Sequence, residues 1–422
     1  MHFINSVDFA RQIDTADPLK KYRECFHVPR TNDKEVIYLA GNSLGLLPKS
    51  AREYVEQEFM DWSKYGVEGH FTANNPWYYY HHFCENALAK ITGAQKVEVV
   101  AMGSLTANLH LLMVSFYRPQ PDRYKILMEA NAFPSDQYAI ETQVRYHGYD
   151  PQNAIIEIMP REGETILQLE DILSVIEQNK DQLALIMIGG VNYLSGQLFD
   201  MQAITEAGHK AGACVGFDLA HAIGNAELHL HDWNVDFACW CSYKYLNSGP
   251  GGVAGIFVHE KHGNNSDLPR FAGWWGNVET TRFRMEKGFY PQKGAAGWQL
   301  SNAPVFSLAI HRAALEIFMD AGLSNLRKKS KALTAYLEFI VEDFNTHHPD
   351  RTLKIISPRN AEERGCQLSL VDTSGGKEIS NGLKANQIVA DWREPNVIRM
   401  APVPLYNSFE DVWKVGAFLN TL

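Results

Sequence analysis

FACWCSYKYLNSGPGGVAG, residues 237–255, begins with five apolar residues, Phe237–Cys241, that read as a short buried strand. The strand gives out at Ser242–Tyr245, and Gly249–Gly252 follow as a loop. Between them stands Lys244, flanked by Tyr243 and Tyr245. A lysine in this position suits an amine that must lose its proton and attack a carbonyl, because partial desolvation disfavours the ammonium form. Taken alone, it fits equally well a lysine that simply reaches solvent at a strand end.

Upstream, Cys214–Asp218 is a second apolar run that ends on a carboxylate, and His221 follows in a loop of small residues. Strand-end residues of an open α/β sheet converge on one crevice. An aspartate and a lysine there are the pair that pyridoxal phosphate requires. The lysine holds the aldehyde as a Schiff base, and the carboxylate keeps the pyridine nitrogen protonated so that the ring accepts electrons.

Further out, strands and helices alternate. Strands are expected at Val36–Ala40, Val97–Met102, Tyr124–Met128, Leu183–Ile188 and Gly255–His259. Helices are expected at 50–62, 107–116, up to about Tyr146, 169–178, 201–211 and 305–320. This alternation predicts an α/β fold with a mostly parallel sheet. From Ser324 the pattern changes to a long helix, strands near 353–356 and 367–371, a helix at 381–391, a short strand at 397–400 and a last helix over 408–419, which together read as a smaller α+β domain. No GxGxxG or GxxxxGK[ST] follows any strand, which excludes the common nucleotide-binding loops.

Composition limits the function class. The 422 residues are 45% hydrophobic and 21% charged, as in ordinary globular proteins, and the net charge of −10 argues against a general nucleic-acid binder. The six cysteines lie at 25, 84, 214, 239, 241 and 366 without zinc-like CxxC spacing; with three of them in expected strands, buried reduced thiols and a cytoplasmic setting are expected. No stretch has the length or apolarity of a signal peptide or membrane span.

Several loops carry chemistry-bearing residues. Gly103–Thr106 precedes a helix and could seat a phosphate on free backbone N–H groups, or serve only as an N-cap. Phe133 lies on a strand-to-helix loop, where it could stack on a flat ring or plug the core. His70 sits in the loop 64–71 and is either a substrate contact or a solvated side chain. His81 and His82 are adjacent on an expected helix, point apart and make a poor ligand pair, so no metal site is expected. Trp274 and Trp275, within GWWG, mark a contact surface.

With these residues in place, the chain resembles kynureninases, fold-type-I pyridoxal phosphate enzymes of the aminotransferase superfamily. The resemblance rests on GNSLG (41–45), AFPSD (132–136), GFDLAHAIGN (216–225), LHDWNVDFACWCSYKYLNSGPGG (230–252), GWWG (273–276) and LSNAP (300–304). It implies a large cofactor domain over residues 61–310 and a small C-terminal domain over 311–422, with residues 1–60 adding to the small domain and to dimer contacts. It implies that Lys244 anchors pyridoxal 5'-phosphate, Asp218 pairs with its ring nitrogen and Phe133 stacks on the ring. Leu105, Thr106 and Tyr243 would contact the phosphate, while Pro134, Ser135, Asp136 and His221 complete the shell. Tyr243 would also move protons. Trp274 and Asn302 would be donated across a homodimer interface, so that each active site uses two chains. Arg399 would hold the substrate α-carboxylate, with Ser43, His70 and Asn302 near its aromatic end. One departure stands out: the family often has a hydroxyl residue where this chain has Gly189, which weakens one phosphate contact but leaves the chemistry intact. The implied reaction is hydrolysis of L-kynurenine, or its 3-hydroxy derivative, to the anthranilate and L-alanine in tryptophan catabolism. A cysteine desulfurase or aminotransferase on the same fold would share Asp218 and Lys244 but leaves GWWG and LSNAP without a reason. A catalytically inert scaffold would be expected to have lost the site residues.

Overall fold

The computed structural model describes residues 2–373 and 376–422. Seven strands form the central sheet: β1 Val99–Ala101, β2 Lys125–Glu129, β3 Ile155–Ile158, β4 Leu183–Gly189, β5 Cys214–Asp218, β6 Phe237–Trp240 and β7 Gly255–Val258. Their spatial order is β1-β7-β6-β5-β4-β2-β3. Only β7 runs against the others, pairing antiparallel with both β6 and β1. The β4, β5 and β6 runs are buried at nearly every position because helices cover both sides of the sheet.

Side chains alternate between two cores, as the period of two requires. Leu185 and Met187 join one core with helices α4 (Leu105–Phe116) and α5 (Pro134–Tyr146). Ile186 and Ile188 join the other with α3 (His82–Thr92), α6 (Leu169–Gln178), α7 (Met201–Lys210) and α8 (Val305–Ala321). Each fully buried aliphatic side chain in these layers contributes about 1.5–3 kcal/mol relative to an exposed one.

A third core lies around a four-stranded sheet of β8 Leu353–Ile355, β9 Leu368–Asp372, β10 Asp391–Arg393 and β11 Val397–Met400, ordered β8-β9-β11-β10. Helices α9 (Leu323–His347), α10 (Glu378–Ala385) and α11 (Phe409–Leu419) cover it, and α1 (Val7–Ala16) from the chain's start adds Ala10. The expected division near residue 311 falls inside α8, whose Leu315 and Phe318 still belong to the core of Ile186 and Ile188. Along α9 the apolar contacts pass from the core of Ile186 and Ile188, which holds Leu326, to the third core, which holds Leu333.

Three local expectations are corrected. The helix expected at 381–391 ends at Ala385; Gln387 has φ +62°, which no helix tolerates, and the chain then turns into strands. Ile388–Val389 pairs in parallel with Ile37–Tyr38, the remnant of the strand expected at 36–40, and β10 pairs with β11. Residues 64–71 are not an open loop: α2 (Ala51–Tyr65) is closed by Gly66 at φ +55° and runs on into short helical turns at Gly66–Glu68 and Gly69–Thr72. Strand β3 was not anticipated, because as the outermost strand it pairs with β2 alone and is only partly buried.

Candidate active site

The C-terminal ends of β1, β2, β4, β5 and β6 open on the same edge of the sheet and surround a cavity of about 80 Å³. Lys244 emerges four residues after β6 and is 9% exposed. Its Nζ lies 2.9 Å from His221 Nε2, 5.7 Å from the Phe133 ring centre and 6.0 Å from that of Tyr243. The GNSLG segment braces this loop, since Gly45 N donates to Tyr243 O at 2.8 Å. A Cβ at Gly45 would stand 2.3 Å from Lys244 O, so the approach requires glycine.

Three carboxyl groups meet at the floor. Asp218 Oδ1 accepts from Ala220 N at 2.6 Å, and Asp136 lies beside it. Glu129 accepts from Gly189 N at 3.1 and 3.2 Å. Burial, with Asp218 as neighbour, holds Asp136 well above the usual carboxylate range, and burial raises Asp218 against the opposing Ala220 N–H and Lys244. Burial pushes Glu129 up to about 7. Asp136 Oδ1 and His221 Nδ1 are buried without a hydrogen-bond partner. Polar groups left unsatisfied around a cavity fit a ligand that brings hydrogen-bonding groups of its own.

The opposite wall can receive an anion. Gly103, at φ +54°, turns the chain from β1 into α4, and a Cβ there would meet Asn108 Oδ1 at 2.4 Å. Leu105 and Thr106 then open α4 on the cavity, and Ser135 and Asp136 open α5 on it. Free N–H groups and the dipoles of two helices are thus available to a phosphate. Together with Lys244, Asp218 and the Phe133 face, this donor set fits pyridoxal phosphate.

Arg399, 1% exposed, lies beyond Tyr193. Its Nη1 donates to Tyr193 O at 2.6 Å and its Nη2 to Asp391 Oδ2 at 2.6 Å, while Ser43 Oγ, 3.4 Å from Nη2, also donates to Asp391. Tyr193 meets Phe133 edge to face at 5.4 Å and lines the cavity.

The fold therefore brings Leu105, Thr106, Phe133, Ser135, Asp136, Asp218, His221, Tyr243 and Lys244 to one cavity, with Ser43 and Arg399 beside it. Pro134 is the first residue of α5. Trp274, 44% exposed, packs on Trp275 and Phe283, and Asn302 is exposed before α8; neither lines the cavity. His70 also lies away from it, against Trp77, with Nδ1 3.0 Å from Val67 O. Glu129, Tyr193 and Asp391 were not singled out from the sequence. Glu129 could have been found as the polar end of an otherwise apolar strand. The expectation that His81 and His82 point apart is corrected: they cap and open α3, where both rings project past its first turn, 4.1 Å apart, toward Glu279.

Known proteins resemble this chain along its whole length. The model of the kynureninase C-terminal domain matches residues 326–419, and that of the DegT/DnrJ/EryC1/StrS aminotransferase family matches residues 77–232. The chain is 56% identical to the kynureninase of Flavobacterium psychrophilum, covering 100% of this chain and 99% of the relative. It is 52% identical to that of Myxococcus xanthus, with coverage of 100% and 97%, and 46% identical to that of Rattus norvegicus, with 98% and 92%. Among solved structures, a cysteine desulfurase of Thermococcus onnurineus NA1 superposes with a TM-score of 0.76 at 17% identity, covering 95% of this chain and 96% of that one. A cysteine desulfurase of Escherichia coli gives 0.76 at 16% identity, with 96% and 98% covered. At that identity the likeness is one of fold.

Proposed function

This chain belongs to the kynureninase family and is a pyridoxal 5'-phosphate enzyme that hydrolyses L-kynurenine to anthranilate and L-alanine, and we propose that the Lys244 cavity carries out the reaction. The observation that carries this reading is the meeting of Lys244, the Asp136–Asp218 pair and the α4 N-terminus in one cavity, with Arg399 at its side. Lys244 would anchor the cofactor, Asp218 would pair with its ring nitrogen, and Phe133 would stack on its ring. The N–H groups around Leu105, Thr106 and Ser135 hold its phosphate. Gly189, whose N–H is taken by Glu129, adds no side-chain contact. When bound, pyridoxal phosphate supplies an electron sink, first for loss of the Cα proton and then for the electron pair of the breaking Cβ–Cγ bond.

This chain's own groups do the rest. Arg399 fixes the substrate α-carboxylate, for which a planar guanidinium is suited. The Lys244 amine would take the Cα proton. Burial and the Cys241 thiol beside it push the Tyr243 phenol upward, so it stays protonated and can serve as the acid. Water attacks the aryl ketone, whose carbon leaves as the carboxylate of anthranilate.

A desulfurase reading needs a mobile reactive thiol. Cys366 is buried with its thiol pushed up to about 12, and Cys241, which does line the cavity, is likewise buried and raised. Both are poor nucleophiles there.

A homodimer completes the site. Trp274 and Asn302 are exposed on one chain, and Phe306, four residues after Asn302, forms an exposed aromatic cluster with Phe59 and Trp62, as a dimer face would.

The test is an absorbance spectrum of the purified protein, followed by L-kynurenine with anthranilate fluorescence as readout. The native protein should be yellow and form anthranilate, and Lys244→Ala should lose at least about 10³-fold of the rate. A yellow protein that forms no anthranilate would move the reading to another lyase or transferase.

A further inference from the structure

Away from the Lys244 cavity, the start of α3 meets the loop that follows Trp274 and Trp275. His82 Nε2 lies 2.9 Å from Glu279 Oε1, and His81 Nε2 lies 3.7 Å from the same oxygen. One ligand atom from each of the three residues falls within 4.8 Å of the other two. His81 is fully buried, and neither of its ring nitrogens has a hydrogen-bond partner. A buried imidazole with both nitrogens idle is costly unless a ligand occupies one of them. Behind His82, Glu85 sits 2.6 Å from Nδ1, the arrangement of a carboxylate that orients a metal-bound imidazole through its far nitrogen.

We propose that His81, His82 and Glu279 bind one zinc(II) ion, which fastens the start of α3 to the loop carrying Trp274 and Trp275. Two imidazole nitrogens and one carboxylate oxygen are a donor set that zinc favours. Bonds of about 2.0–2.2 Å in tetrahedral array set the ligand atoms roughly 3.4 Å apart, between the two separations seen. The side chains of His82 and Glu279 are 36% and 22% exposed, so water can take the fourth position. The ion would replace the direct His82–Glu279 contact with bonds to all three residues. Trp274 lies five residues before Glu279 on the same loop, so the ion would also hold the indole in place.

A second His/Glu group, Glu98 with His231 and His259, is already committed. Glu98 accepts from Gln95 N and Glu260 N, both at 2.8 Å, and His259 Nδ1 accepts from Lys261 N at 3.2 Å. It serves as the control.

Cofactor-loaded protein, stripped with a chelator, is titrated with zinc in competition with a chromophoric chelator, and separately with cobalt(II) to record its visible absorption. The expected result is one zinc per chain, cobalt bands of tetrahedral intensity, and binding at least tenfold weaker in Glu279→Gln and His81→Ala but unchanged in His231→Ala. If His81→Ala fails to fold, the isosteric Glu279→Gln decides. No zinc uptake, uptake undiminished in Glu279→Gln, or uptake lost in His231→Ala would each overturn the proposal.

Discussion

The Arg399 guanidinium is buried with its charge already answered, one nitrogen on Asp391 and another on the carbonyl of Tyr193. Its Nε has no partner. Burial draws its pKa down and Asp391 opposes that, so the carboxylate both neutralises and aims the cation. Asp391 is also the acceptor for the Ser43 hydroxyl and for Arg393 Nη2 at 3.2 Å. In this arrangement Asp391 positions Arg399, the residue proposed to hold the substrate carboxylate. Carboxylate binding is shared by ground and transition states, so its loss falls on KM. Asp391→Asn should raise KM for L-kynurenine about tenfold, the size of one charge-assisted hydrogen bond, with kcat within about threefold. Steady-state kinetics checks this; a lower KM would mean that Asp391 only screens the cation. Arg399→Lys, which loses the planar fork, should cost kcat/KM about 100-fold. Arg399 was legible as a strand residue near the C-terminus. Asp391 was not, because its role exists only where β10 pairs with β11 and sets it opposite Arg399.

At the scale of elements, α8 is tied to the catalytic loop by His311, whose Nδ1 lies 2.5 Å from Ser248 Oγ. Burial lowers the His311 pKa from 6.5 to about 3. Between those values the unfolded chain binds a proton that the folded chain refuses. Stability is therefore full above pH 6.5 and falls as the pH drops toward 3, by up to about 1.4 kcal/mol per pH unit from this group. His311→Gln should flatten the decline in Tm between pH 6.5 and 4. A slope equal to the native one would show that the imidazole titrates normally. The helix α8 itself was readable from its periodicity over 305–320. Its hold on the Lys244 loop was not, since a histidine mid-helix reads the same whether buried or solvated.

For the whole molecule, the single chain places Trp274 and Asn302 outside its own cavity, which is the arrangement a shared two-chain site requires. Lys244→Ala and Asn302→Ala, each depleted in activity, should therefore recover activity when unfolded and refolded together. Each mixed dimer would carry one site with both native residues. No recovery above the sum of the separate variants, with mixed dimers verified by mass, would place Asn302 in the same site as its own Lys244. The expectation follows from symmetry, because an interface used twice supplies each site from the other chain.

The sequence by itself determined most of the strand–helix alternation, though not β3 or the strands after Ala385, the placement of Asp218 at a strand end and of Lys244 just beyond one, and the family, through long ungapped motifs. Those depend on local periodicity and on residues that each segment carries with it. Tertiary structure alone decided which distant groups meet. It paired Ile37–Tyr38 with Ile388–Val389, set Glu129 against Gly189, put Asp391 on Arg399, and aimed two adjacent histidines at Glu279. All but the Asp391–Arg399 pair, which spans neighbouring strands, join segments far apart in the chain, and the energies of all of them depend on burial and on neighbours that no local pattern encodes.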